Sequence, residues 1–165
     1  MKKKHVCVIG AGLSGITTTK QLVEEGHDVT CFEKADSHGG VFSRNKVYDD
    51  LHLTISNYFT AFSDHVPSKE RLKFWSKKEY FAYLKSYIDK FDIRDRFHFS
   101  TEVKAVQKNA SGEGWSVTIV SNGEEKELQF DAVAICSGHF QTPKMPKFMG
   151  IESFKGEVIH SSKYR

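Results

Sequence analysis

Three prolines and three cysteines are all that this sequence of 165 residues carries of either type. Cys7, Cys31 and Cys136 form no CxxC pair, and each lies in an apolar, strand-like run. This excludes a disulfide framework and a dithiol redox motif, and describes small reduced core residues of a cytoplasmic protein. Charge of one sign is also scarce. Lysine and arginine number 24 against 21 aspartates and glutamates, a net charge of +3. Only Lys2-Lys3-Lys4 is clustered, and it reads as a solvated end rather than a nucleic-acid patch, so no nucleic-acid partner is expected. No stretch approaches the ~20 apolar residues that span a bilayer. No apolar run follows the lysine triplet, as a signal peptide would require. The eight histidines keep no metal-ligand spacing, so no metal is expected. Asp49 and Asp50 are adjacent, and in a strand they would face opposite sides, so they are solvated charges and not an acid pair. No catalytic side chain can be assigned.

What is present is concentrated near the start. Val6-Cys7-Val8-Ile9 runs into Gly10-Ala11-Gly12-Leu13-Ser14-Gly15, then a helical stretch, a second apolar run and Glu33. This is a complete dinucleotide fingerprint. Gly10 allows the tight turn, Gly12 leaves room for a pyrophosphate, and Gly15 lets helix and strand approach. The helix start offers free N–H groups to the phosphates, Leu13 and Ser14 among them. Glu33 ends the second strand, where a carboxylate can bind a ribose diol and repel a 2′-phosphate. The cofactor it predicts is FAD or NAD rather than NADP. Lys34, beside it, is a candidate for the adenosine. His38-Gly39-Gly40-Val41-Phe42 places a second glycine pair near the pyrophosphate site, with Gly40, Val41 and Phe42 as candidates for phosphate or flavin.

The pattern predicts a strand at 5–9, a helix at 13–25 and a strand at 28–33. Residues 34–65 show no clear period, and a long loop of this kind usually has a functional reason. Tyr80, Phe81, Leu84, Tyr87, Ile88 and Phe91 recur at helical spacing, predicting an amphipathic helix over 77–91 whose aromatic stripe faces the core. Trp75 and Trp115 read as packing residues. Alternating runs at 99–107, 115–121 and 126–130, joined by Gly112-Glu113-Gly114 and Asn122-Gly123, predict a β-meander. Residues 131–136 form a continuous apolar run, the signature of a buried parallel strand, leading into Ser137-Gly138. A last short strand is expected at 158–160. The fold class is therefore α/β: one Rossmann-like FAD-binding domain over 1–165, with a parallel sheet and a β-meander crossover. Plain NAD domains more often continue with further βα units, so the meander moves the first cofactor towards FAD, by analogy of fold.

Three motifs together resemble the flavin-containing monooxygenase family. They are the glycine fingerprint with Glu33 and Gly39-Gly40, the stretch Leu51 to Asn57 running on to Phe62-Ser63-Asp64 and Pro67, and Phe154-Lys155-Gly156 through His160 to Tyr164. The last looks like the family signature FxGxxxH. Tyr164 fits the monooxygenases better than the Baeyer–Villiger branch, which usually has Trp there. Ser137-Gly138 resembles the family's Ala-Thr-Gly. Two positions depart from the pattern: Thr54 stands where many members carry an active-site Asn, with Asn57 three residues on, and Phe42 stands where the family often has Trp. Thr54 and Asn57 are carried as flavin-side candidates, and Val103 as the backbone that meets adenine. His160 reads as a structural histidine in a turn.

The resemblance implies FAD, reduced by NADPH, forming a C4a-hydroperoxide that oxygenates a soft nucleophile, an amine or sulfide. A small-molecule substrate is expected, and homo-oligomerisation stays open. The family's second glycine fingerprint, for NADPH, is missing from this sequence, as is its C-terminal segment over the flavin. The chain thus reads as the FAD portion of such an enzyme, inactive alone. The alternatives are a non-catalytic FAD- or nucleotide-binding module, or a shortened homologue. An amine oxidase or disulfide reductase on the same fold is disfavoured by the FxGxxxH signature, and the reductase also by the absent CxxC.

Overall fold

A computed structural model describes residues 2–43, 47–67, 71–139 and 142–164. Two sheets stack with helices in three layers. The central sheet is parallel, with β1 (His5–Ile9), β2 (Asp28–Phe32), β3 (Phe97–His98) and β7 (Ala132–Ile135) in the order β3-β2-β1-β7. The meander is antiparallel: β4 (Thr101–Lys108), β5 (Trp115–Ser121) and β6 (Glu124–Phe130), in chain order. Register runs Val6↔Val29 on one side of β1 and Val6↔Ala132 on the other.

The period-two alternation of β1 and β2 explains the layers. Val8, Val29 and Cys31 face α1 (Leu13–Glu24) and α3 (Lys77–Lys90), in a core with Ile16, Trp75, Tyr80, Leu84 and Tyr87. Cys7 and Phe32 face the meander, in a core with Val117, Ile119 and Phe130. Both faces of β1 and β2 are covered, which is why they read as apolar runs; β7, at the edge of the sheet and expected to be buried, is only half-buried, with Ile135 exposed. Burial pushes the Cys7 thiol up to about 12, so it stays protonated and inert.

Ser76 opens α3 with a capping box: its hydroxyl accepts from the Glu79 N–H, while the Glu79 carboxylate accepts from the Ser76 N–H. The Lys73 ammonium and then these Ser76 donors hold Glu79 down at about 2. α1 and α3 are tied by Lys20, which is buried and lies 2.6 Å from both Glu24 and Asp64, while Tyr87 donates to Asp64 at 3.0 Å.

Three sequence expectations need correction. The strand expected at 99–107 begins two residues later, at Thr101, and runs to Lys108. Phe97–His98 pairs with β2 in the parallel sheet, Ser100 takes φ +50°, and the meander starts only at Thr101. That kink carries the chain from one sheet to the other, and alternation alone cannot show it. Residues 158–160 form no strand: Val158 and Ile159 are 48% and 46% exposed and pair with nothing sheet-like. The loop after Glu33 holds a short 3-10 turn, Gly40–Phe42, and α2 (Asn57–Thr60).

Candidate functional site: a dinucleotide cleft at the strand ends

The carboxyl ends of β1, β2 and β7 converge where the strand order reverses about β1, the crevice in which open α/β sheets bind ligands. Gly10 leaves β1 at φ +99°, its N–H donating to the Phe32 carbonyl at 2.7 Å. A Cβ on Gly10 would stand 2.7 Å from the Cys136 carbonyl oxygen, so the turn lies flat against the β7 exit. A Cβ on Gly15 would stand 1.7 Å from the Gly10 carbonyl oxygen. Gly15 thus supports the turn from behind and does not face the cleft.

Gly12 is the N-cap of α1. No side chain caps this helix, and no acidic residue sits in its first turn. Its first N–H groups and the positive end of its dipole are therefore available to an anion. Gly39 donates to the Ala11 carbonyl at 2.8 Å, docking the second glycine pair onto the first loop. A Cβ on Gly40 would stand 3.1 Å from the Gly12 Cα, so the two backbones nearly touch. No sequence pattern marks this contact, because it joins turns that are distant along the chain.

The resulting cleft measures about 700 Å³, within the ~300–1,000 Å³ usual for ligand pockets. Gly10, Gly12, Leu13 and Ser14 form its floor. Glu33, Lys34 and Val103 stand with Glu102 at one end, and Gly40, Val41, Phe42, Ser137 and Gly138 line the remainder with Cys136 and His139. Sequence reasoning missed Ile9, Glu102, Cys136 and His139, which also line the cleft. All four neighbour positions it had chosen, and that adjacency was the signal available.

Thr54 and Asn57, carried as flavin-side candidates, do not line this cleft. Thr54 is exposed. Asn57 is fully buried, its amide donating to the Arg71 carbonyl and its oxygen accepting from the Lys73 N–H, both at 3.1 Å. That side chain is spent on holding a loop. His160 caps the 3-10 turn Ser161–Lys163, accepting from the Ser162 N–H at 3.1 Å, a structural role. Asp49 pairs with Lys77 at 2.9 Å.

Glu33 is 7% exposed, and both its oxygens are engaged. One accepts from the Ala11 N–H and the other from the Ala35 N–H, each at 2.8 Å. The carboxylate therefore braces the glycine loop. Each oxygen keeps a lone pair that a ribose hydroxyl can use.

His38 leads into the second glycine pair. Its ring stacks on Phe81, with centroids 4.4 Å apart, and its buried Nε2 has no hydrogen-bond partner among the described residues. Burial holds its pKa below the ordinary histidine value of 6.5; the Phe81 backbone opposes this, Arg94 and Lys85 reinforce it, and Asp89 opposes it weakly. The unfolded chain then takes a proton first as pH falls. The neutral ring's contribution to stability is complete above pH 6.5 and declines below it. We expect thermal unfolding scans between pH 7.5 and about 5 to show a steeper loss for the wild-type chain than for His38→Gln. Parallel curves would show that His38 carries none of the dependence.

Residues 3–165 match the family described as FMO-like, flavin-binding monooxygenase-like. The chain is 56% identical over 162 residues to a 4-hydroxybenzoate brominase (decarboxylating) of Pseudoalteromonas luteoviolacea, covering 98% of this chain and 31% of that protein. It is 36% identical over 176 residues to human flavin-containing monooxygenase 2, covering 98% of this chain and 33% of that protein. Among solved structures, the S-allyl-L-cysteine S-oxygenase of Allium sativum superposes with a TM-score of 0.89 at 26% identity, over 99% of this chain and 43% of that one. The OTEMO complex with FAD and NADP superposes with a TM-score of 0.76 at 27% identity, over 98% and 31%. The chain thus spans about a third of the length of the curated relatives it matches. Among the described residues no helix is long and apolar enough to cross a membrane.

Proposed function

Because this chain belongs to the flavin-binding monooxygenase-like family, we propose that its cleft holds FAD and that it forms the FAD-binding part of a flavin-dependent, NADPH-using oxygenating enzyme. The observation that carries this reading is the uncapped α1 terminus at Gly12 facing the docked Gly39–Gly40 turn. Side-chain-free backbone on both sides fits a pyrophosphate. Glu33 and Val103 mark the adenosine end, which leaves the isoalloxazine to the Val41, Phe42 and His139 end.

When bound, FAD reduced by NADPH supplies oxygen activation, and a soft nucleophile takes the oxygen atom. This chain's own residues bind, orient and shield. Helix α1 neutralises phosphate charge, Glu33 fixes the ribose, and the Phe42 end gives the ring an apolar wall. Bromide, like an amine or a sulfide, is a nucleophile with a lone pair that can accept an oxygen atom. The brominase relatives, 56% and 53% identical, favour bromide oxidation and bromination of a phenolic acid over the amine or sulfide expected from sequence. The N-oxide-forming relatives, at 35–36%, support amine oxygenation as the second reading.

The test is a chimera in which this chain replaces the matching segment of the Pseudoalteromonas protein. We expect bromination of 4-hydroxybenzoate, dependent on NADPH and bromide. N-oxide from dimethylaniline without bromination would favour the second reading. The 165-residue chain alone is expected to bind FAD yet to form neither product. Alignment of reacting groups contributes ~7–11 kcal/mol in favourable cases, and nothing in this sequence aligns nicotinamide with flavin. Oxygen uptake coupled stoichiometrically to product by the isolated chain would overturn that expectation.

A further inference from the structure

Behind the Phe42 end of the cleft lies an unbroken series of aromatic rings. Phe42 meets Tyr80 edge-on at 4.8 Å, Tyr80 stacks on Trp75 at 5.7 Å, and Trp75 lies 4.6 Å from Tyr83. Tyr83 continues to Phe62 at 5.8 Å, and Phe62 to Tyr87 at 4.7 Å. Tyr87 reaches Asp64 on the half-exposed 61–67 loop. Core packing accounts for the volume of these rings but not for their chemistry. Phenylalanine would fill the buried Tyr80 position without the cost of a hydroxyl that has no partner among the described residues.

We infer that this series is an electron-transfer path, along which Trp75 and Tyr87 supply single electrons to a flavin seated at the Phe42 end of the cleft. The inference rests on the proposed FAD site. Its oxidant is the light-excited flavin. Trp75 loses one electron, which that oxidant gains. An indole cation radical needs no base, so the buried Trp75 can carry the charge. Tyr87 then returns an electron to Trp75. Its O–H bond breaks, and the proton passes to the Asp64 carboxylate, which already accepts its hydrogen bond at 3.0 Å. An oxidised phenol is a strong acid, so a carboxylate held ionised by Lys20 suffices. Among the described residues Tyr80 has no such acceptor; it conducts but does not hold the charge. The path would draw oxidising equivalents from the cleft to the surface at Asp64.

The test uses the FAD-loaded chain, with binding first established by dialysis. Time-resolved flavin fluorescence and transient absorption are then read for the wild type, Trp75→Phe, Tyr87→Phe and Trp115→Phe. Trp115 lies at the Lys108 end of the meander, away from the cleft, and serves as the control. The wild type should show a tryptophan cation radical replaced by a neutral tyrosyl radical. Trp75→Phe should lengthen the flavin lifetime several-fold and abolish the first signal. Tyr87→Phe should leave the lifetime unchanged and prolong the tryptophan signal. Retained flavin with an unchanged lifetime in folded Trp75→Phe overturns the path while sparing the FAD site. If that variant does not fold, the absence of both radicals in the wild type overturns it equally. Failure to retain flavin overturns both.

Discussion

Gly12→Val is expected to yield a folded chain that no longer retains FAD. A Cβ at Gly12 would meet the Gly40 Cα at 3.6 Å and its N at 4.0 Å, ordinary contacts, and the backbone there is extended at φ −79°, ψ −169°. The added methyl groups therefore enter the gap between the two glycine turns, the proposed pyrophosphate site, and not a packed core. Gly15→Ala is the contrasting case. Its Cβ would stand 1.7 Å from the Gly10 carbonyl oxygen, against backbone that cannot swing aside. The cost should reach or exceed the ~1–3 kcal/mol typical of overpacking. Equilibrium unfolding and flavin retention together separate the two. Gly12→Val should lose retention at near-wild-type stability, and Gly15→Ala should lose both. Wild-type affinity in Gly12→Val would place the phosphates elsewhere.

Glu33→Ala is expected to weaken the empty protein as well as its flavin complex. Sequence reasoning gave Glu33 one role, that of ribose ligand. The geometry adds a second, because the carboxylate accepts from the Ala11 and Ala35 N–H groups at 2.8 Å each. Bonds to a charged acceptor contribute ~1.5–3 kcal/mol apiece, and two buried donors would be left unmet. Glu33→Gln keeps one acceptor oxygen and should fall between wild type and alanine on both measures. Glu33→Arg loses both bonds and sets a cation beside the positive end of α1, so it should lie below alanine. Denaturant midpoints of the flavin-free chain report the brace, and FAD titration reports the ligand. Lower affinity at unchanged stability would restrict Glu33 to the ribose.

The parts of this fold that follow local rules were readable in advance. Gly10 to Glu33 is a contiguous strand–turn–helix–strand unit, so spacing alone specified it. The stripe of α3 was equally visible, as were the meander turns. What escaped was non-local. Docking of Gly39 on Ala11, the Ser100 kink between the sheets and the burial of Asn57 between Arg71 and Lys73 depend on chain segments meeting in space. Thr54 and Asn57 were placed by family alignment, which carries a position but not its surroundings. Lys20 shows the same limit. It follows the buried Ile16 by one helical turn and so shares its buried face, but the partner that receives it there, Asp64, is reached only through the fold.

The orientation of FAD along the cleft is the central claim, and backbone amide shifts in an isotopically labelled chain test it most directly. Adenosine diphosphate should move the amides of Ala11 to Ser14, Ala35 and Val103, all at the glycine floor and the Glu33 end. FAD should move these and, in addition, Val41, Phe42 and Gly138. Shifts confined to the separate cavity between His65, Trp75 and Ser86, or an FAD pattern identical to that of adenosine diphosphate, would contradict the account.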